Sequence, residues 1–333
     1  MSATSPSAAA HLAAAAEARH ARRARAFRIG ILSAILSTIL GAGQPVAMRF
    51  GAVHLDPLLF CSGCVIVAAL CSIAWLSISG NLSTIFDPRF RTRLCLMGLS
   101  GTVMTSLTVT YGLAKINAVL GVLLLQSEPV YSLVLSTIFV GERPSLRQVA
   151  ATAVILIGIS SVFGGGSLSP WWAAGLVFIT PFFWQTSHVI GLKVMPPLSP
   201  ATVTGARFIY ASMFMTALLL VFRAATVPQL ANPQMLAVTI FTGVLIYFFG
   251  ALTWYGAISR LSLAWTTALV VPGIPLLSIL FAVIFLGEHA TRREVIGILI
   301  AISGVLGLVL GAEGHRTHHD EVEIAESIHQ PLG

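Results

Sequence analysis

The chain has 333 residues, of which 56% are hydrophobic and only 9% charged. A soluble domain carries about 25% charged residues, so an ordinary water-soluble enzyme and a disordered chain are both excluded. The net charge of +7 and the mean hydropathy of +0.89 describe a polytopic membrane protein with basic loops, not a nucleic-acid binder.

Residues 1–28 form a basic polar N-terminal tail. Arg19, Arg22, Arg23, Arg25 and Arg28 lie directly before the first apolar run, where they read as a positive-inside anchor facing anionic lipid. The Ala-rich stretch 8–18 is too weakly apolar for a cleaved signal peptide. The Arg-rich, acid-poor composition leaves an organelle transit peptide as a minor alternative.

Ten apolar runs follow, at 29–50, 57–79, 93–113, 117–140, 146–163, 171–192, 200–222, 234–256, 262–286 and 293–312. Each is long enough to read as a spanning helix, because lipid offers an isolated strand no backbone partner. The stretch 234–286 can be cut differently around Arg260. A polar C-terminal tail covers 313–333. With both termini inside, the inner segments hold thirteen Lys and Arg against five outside, Arg207 left out. The expected topology is therefore ten helices with cytoplasmic termini, in a bacterial inner membrane.

The chain repeats itself. Residues 129–158 align with 275–304 at an offset of 146, with 9 identities in 30 positions, among them Pro129/Pro275, Gly141/Gly287, Glu142/Glu288 and Gly158/Gly304. Upstream, Tyr111-Gly112 echoes Tyr255-Gly256. The unit is about five helices. An odd number makes the second copy enter the membrane from the opposite side, the inverted-repeat architecture of many secondary transporters.

The strings "LLLQSEPVYSLVLSTIFVGERPSLRQVAATAVILIGI", "PGIPLLSILFAVIFLGEHATRREVIGILIAISGV" and "LSPATVTGARFIYASM" resemble the EamA repeats of the drug/metabolite transporter superfamily. The resemblance covers about 29–312. It implies ten helices as two inverted five-helix repeats, 29–163 and 171–312, around a central cavity that moves small metabolites, often outward. The halves are not identical: Cys64 stands where the second half has Arg207, and Ile274 where the first has Glu128.

Glu128 is the sole carboxylate deep in a span. A bare charge there costs about 2.5–3.5 kcal/mol even on insertion scales, so it is a proton-coupling candidate, a partner for a substrate amine, or a structural group beside the Pro129 kink. Arg207, about two turns into its helix, is a charge partner for it, an anchor for a substrate carboxylate or phosphate, or an arginine snorkelling to the interface. His188 shares a helix face with Trp184, and an interhelical hydrogen bond is its blander role. Gln44, Tyr111, Gln126, Tyr247, Trp254, Tyr255 and Trp265 complete the cavity candidates, the aromatics having an interfacial belt as alternative.

Pro129, Pro272 and Pro275 mark kinks or a gate. Gly141-Glu142 and Gly287-Glu288 read as structural, Gly ending one helix and Glu preceding the next. Cys61 and Cys64 form a C-x-x-C inside an apolar helix, read as packing. No metal site, cofactor or ATPase loop is expected. The expected partners are a small solute, lipid and protons, with no nucleic acid, in a monomer or homodimer. The expected function is secondary export of a small organic metabolite, such as an amino acid or related amphipathic compound, by alternating access with proton coupling. An uncoupled facilitator or exchanger is the first alternative. A membrane enzyme or a non-transporting receptor is the alternative from another class.

Overall fold

A computed structural model describes residues 6–139, 144–161, 170–194, 197–258, 260–261, 270 and 272–308. Among these residues every regular element is helical. The elements are α1 (Pro6–His54), α2 (Pro57–Ile78), α3 (Pro88–Gly98), α4 (Thr105–Leu113), α5 (Ala118–Leu125), α6 (Glu128–Phe139), α7 (Leu146–Ser160) and α8 (Trp171–Leu192). They continue with α9 (Pro200–Arg223), α10 (Pro233–Phe241), α11 (Gly250–Ile258), α12 (Gly273–Leu286) and α13 (292–308). Wide π-helical turns at Leu99–Met104 and Thr242–Phe249 join α3 to α4 and α10 to α11. Among the described residues six helical stretches are long and apolar enough to cross a membrane, namely Ala24–His54, Pro57–Ile78, Pro88–Leu113, Ala118–Phe139, Ala201–Ala231 and Pro233–Ala257.

The helix starts are written in short polar–proline pairs. Asp56 caps α2 by accepting from the Leu58 and Leu59 amides, with Pro57 next in the chain. Asp87-Pro88, Ser199-Pro200 and Asn232-Pro233 repeat the device. The polar side chain satisfies an orphan amide and proline has none to lose. Asp87 also chelates Arg89, which holds its carboxyl below the ordinary carboxylate pKa by hydrogen bonding. This cap starts the third helix at Pro88, five residues before the apolar run at 93. Ser145 and Gln148 close a reciprocal capping box on α7.

Further elements differ from the sequence expectation in extent. Helix α1 begins at Pro6 rather than near Ile29, because the Ala- and Arg-rich segment before the membrane has high intrinsic helix propensity. The span expected over 117–140 is broken: α5 ends at Leu125, Gln126 and Ser127 form a turn, and α6 restarts at Glu128. Pro129 sits in the first turn of the new half-helix, where its missing amide costs nothing. The Pro272–Pro275 break has the same form, with Pro272 at the N-cap of α12 and Pro275 in its first turn. Residues 262–269, the upstream part of that expected span, lie outside the described residues, as do Gly141, Glu142 and Trp265.

The helices interlock across the chain midpoint. α1 packs on α11 and α12, α8 on α4 and on α5–α6, α2 on α9, and α5 on α12. Small residues bring backbones together where a Cβ would not fit. A Cβ on Gly158 would stand 2.6 Å from the Gly297 carbonyl oxygen and 2.7 Å from the Ala301 nitrogen. Such close approach is the usual means of helix association in lipid.

Candidate functional site

A cavity of about 190 Å³ lies where α1, α8, α9, α11, the break at Glu128 and both π segments converge. For scale, a protein cavity of roughly 150 Å³ admits benzene, so the space suits a small solute. Ser37, Gly41 and Gln44 line it from α1, and Ile274 from the start of α12. The π segments contribute Gly101 and Thr102 on one side, Ile246 and Tyr247 on the other.

A carboxyl group and a guanidinium face this space. Glu128, at the start of α6, accepts a 2.7 Å hydrogen bond at Oε1 from the Gln185 amide of α8. The start of a half-helix is also the positive end of its dipole, which favours a carboxylate. Arg207 reaches the cavity from α9. Its guanidinium carbon lies 5.2 Å from the centre of the Phe208 ring, and its Nε is buried with no hydrogen-bond partner. Among the described residues the ion pairs are Arg49–Glu288, Arg89–Asp87 and Arg223–Asp56, so Glu128 and Arg207 share a cavity without pairing with each other.

Some neutral polar groups in and around the cavity are bonded to one another. Trp184 donates from Nε1 to His188 Nε2 at 3.0 Å within one turn of α8. The pair therefore spans one helix face and not two helices. Ser106 Oγ and Tyr247 Oη lie 3.0 Å apart. Ser278 donates to the Ala42 carbonyl at 3.0 Å, stitching α12 to α1.

The structure brings together Gln44, Glu128, Trp184, His188, Arg207, Tyr247, Trp254 and Tyr255. It does not bring Tyr111 or Gln126 to the cavity wall. Tyr111 packs against the main apolar core, and Gln126 is buried with its amide nitrogen unpartnered. Sequence reading missed Gln185, the partner of Glu128. It also missed Thr102, Thr105 and Ser106, whose hydroxyls in the helix leading to Tyr111 were the available signal. Gly287 takes φ 64° at the end of α12, as the left-handed cap favours. Glu288 bonds to the Ala118 amide at 2.7 Å, so it sits on the N-terminus of α5 and not on that of α13. Thr291 and Glu294 cap α13 reciprocally. Among the described residues no three His, Cys, Asp or Glu come together as metal ligands.

A bundle of apolar helices around a small cavity, lined by a carboxyl group and a guanidinium that do not pair, defines a multi-pass membrane protein. The chain belongs to the EamA-like transporter family, whose model matches residues 28–164 and again 171–310. It is 27% identical over 216 residues to a protein of Streptantibioticus cattleyicolor named "Probable terminal-alkyne amino-acid exporter", covering 64% of this chain and 71% of that one. It is 22% identical over 275 residues to an "Uncharacterized transporter" of Archaeoglobus fulgidus, covering 81% of this chain and 93% of that one. A solved crystal structure aligns with a TM-score of 0.61 at 15% identity, over 87% of this chain and 98% of its own. At that identity the likeness speaks to the fold alone.

Proposed function

We propose that this transporter carries a small amphipathic metabolite, of amino-acid kind, outward across a bacterial inner membrane by alternating access. The observation that carries the reading is the cavity of about 190 Å³ holding Glu128 and Arg207 unpaired at the meeting of both matched segments. The S. cattleyicolor relative's name supports the solute class. Like that family, the chain works as a carrier and not as an enzyme.

Two inverted five-helix repeats, 29–163 and 171–312, making ten crossings with cytoplasmic termini, account best for the packing. Exchanging α1 with α8, α2 with α9, α4 with α11 and α5–α6 with α12 maps the principal helix contacts onto themselves. The pairs α1·α11 and α8·α4 exchange, and so do α1·α12 and α8·α6, while α2·α9 and α5·α12 return to themselves. That reciprocity is what a two-fold axis between repeats requires.

Glu128 is the coupling candidate: a titratable carboxylate at a helix break in the cavity. Its hydrogen bond from Gln185 favours a second reading, an uncoupled exchanger in which Glu128 holds position. Uptake into proteoliposomes across an imposed pH gradient separates the two. Proton coupling predicts that Glu128→Gln removes the dependence on the gradient while exchange survives. A gradient dependence unchanged in Glu128→Gln rejects coupling through this residue.

A further inference from the structure

Arg207 is the less expected of the two charges. A guanidinium inside a membrane bundle normally finds a carboxylate or backbone carbonyls. Here Nε has no acceptor. The titratable groups around it are His188 from α8, Tyr247 from the second π segment and Tyr255 from α11, none of them a carboxylate. Phe208 supplies an aromatic face to one side. On another side the wall is glycine: a Cβ built on Gly101 would lie 3.7 Å from Arg207 Cδ and would collide with Ser187. Next to Gly101, Thr102 brings a second buried, unpartnered polar atom, its Oγ1, to the same cavity. The guanidinium and this hydroxyl thus line one cavity, and neither is paired with a carboxylate of the described residues.

Glu128 is in the opposite condition. It is a carboxylate with one amide donor, Gln185, and no cation partner among the described residues. The cavity therefore holds an anion-seeking group and a cation-seeking group on different helices, α9 and α6.

We propose that Arg207, seconded by Thr102, is a carboxylate-anchoring subsite, and that the carrier selects solutes bearing a free carboxylate, held with their ammonium group toward Glu128. This deepens the proposed amino-acid-like solute and rests on that reading. The guanidinium matches a carboxylate bidentately, which a lysine cannot do. Burial of both poles makes a missing partner costly, so discrimination against an analogue lacking one charged group is large. The aromatic walls, Trp184, Trp254 and Tyr255, then face the apolar remainder of the solute.

The test uses the full chain in lipid nanodiscs with L-leucine, L-phenylalanine and L-propargylglycine, each as free acid, carboxamide and N-acetyl derivative, read by calorimetric titration. At least one free acid is expected to bind, with its carboxamide weaker by at least about tenfold. In Arg207→Gln the acid and amide become equal, and in Arg207→Lys part of the preference returns. Glu128→Gln equalises the free amine and the N-acetyl form and leaves the acid–amide ratio intact. The wild-type ligand series alone decides the matter if Arg207→Gln does not fold. A carboxamide binding as well as its acid overturns the proposal, and so does an acid–amide ratio that survives in Arg207→Gln. Binding by none of the three scaffolds also overturns it. If a screen for metabolite flux then finds another solute, the carrier reading stands without the subsite; flux of no metabolite removes both.

Discussion

Removing the acid of the Arg49–Glu288 pair should loosen one end of the bundle by a predictable amount. Glu288 accepts from Arg49 Nε at 3.3 Å and from the Ala118 amide at 2.7 Å, and Arg49 also donates from Nη1 to the Leu113 carbonyl at 2.8 Å. The cluster thus ties the end of α1, the end of α4, the start of α5 and the turn after α12. The side chains are 25% and 14% exposed, so the pair is partly desolvated and stronger than a surface ion pair, which is worth about 0–1 kcal/mol. A hydrogen bond to a charged group contributes about 1.5–3 kcal/mol. Glu288→Gln keeps an acceptor for Ala118 and loses the charge, costing about 1.5–2 kcal/mol. Glu288→Ala leaves both Ala118 and Arg49 short of an acceptor and should cost about 3 kcal/mol or more. A double-mutant cycle with Arg49→Ala, measured by reversible denaturant unfolding in mixed micelles, should return a coupling of about 1–2 kcal/mol. The coupling should shrink at 1 M salt, where the screening length falls from about 10 Å at 0.1 M to about 3 Å. A coupling under about 0.5 kcal/mol, or equal costs for Gln and Ala, would refute the view that Glu288 joins these four elements.

Gly158→Ala should destabilise the protein by about 1–3 kcal/mol through overpacking, since the new methyl would meet the Gly297 and Ala301 backbone, which cannot turn aside as a side chain could. Denaturant unfolding of both variants should show Gly175→Ala nearly neutral beside it, since a Cβ there meets nothing within 4 Å. At the start of α3, the Asp87 carboxyl has a depressed pKa, so the cap is complete above the ordinary carboxylate range and is lost as pH falls through the lowered folded value. Amide exchange at Arg89, corrected for intrinsic rates, should lose protection over that acid window, and Asp87→Asn, still a good cap, should abolish the pH dependence.

Much of the fold was legible because membrane helices announce themselves by length and their ends by cap chemistry. Asp56-Pro57, Ser199-Pro200 and Gly287 sit where a reading of sequence puts helix boundaries. Which face of each helix meets the cavity was far less legible. In water an amphipathic stripe marks the buried face. In lipid both faces are apolar, so Tyr111, which joins the core, and Tyr247, which lines the cavity, look alike in sequence. The same ambiguity hid Thr102, which also lines the cavity. Glu128 was found because charge is rare in a span, but its place at a helix restart depends on the turn at Gln126–Ser127 and on Ser127 Oγ donating to the Phe178 carbonyl at 3.0 Å. That partner lies on α8, fifty-one residues away, and no local pattern encodes it.

The two π segments carry the same lesson further. Leu99–Met104 and Thr242–Phe249 fall at corresponding places when Tyr111 is set against Tyr255, yet no residue of the first is identical to its counterpart in the second. What they share is a contact. A Cβ on Gly98 would press on the Arg207 carbonyl oxygen at 3.0 Å and the Ala211 nitrogen at 3.1 Å in α9, and one on Gly243 would press on the Cys64 carbonyl oxygen at 2.7 Å in α2. Each widened turn is thus seated by a glycine against the backbone of the helix that packs across the midpoint, α9 for one and α2 for the other. Packing, not residue identity, accounts for the recurrence. A π turn holds one residue more than an α turn, and each α-helical residue advances the side chains by about 100°. Converting one form to the other would therefore rotate everything downstream relative to the cavity, including Ser106, whose hydroxyl meets that of Tyr247 at 3.0 Å. Backbone defects at functional positions are commonly retained for such leverage. Here they lie beside both Arg207 and the aromatic wall of the cavity.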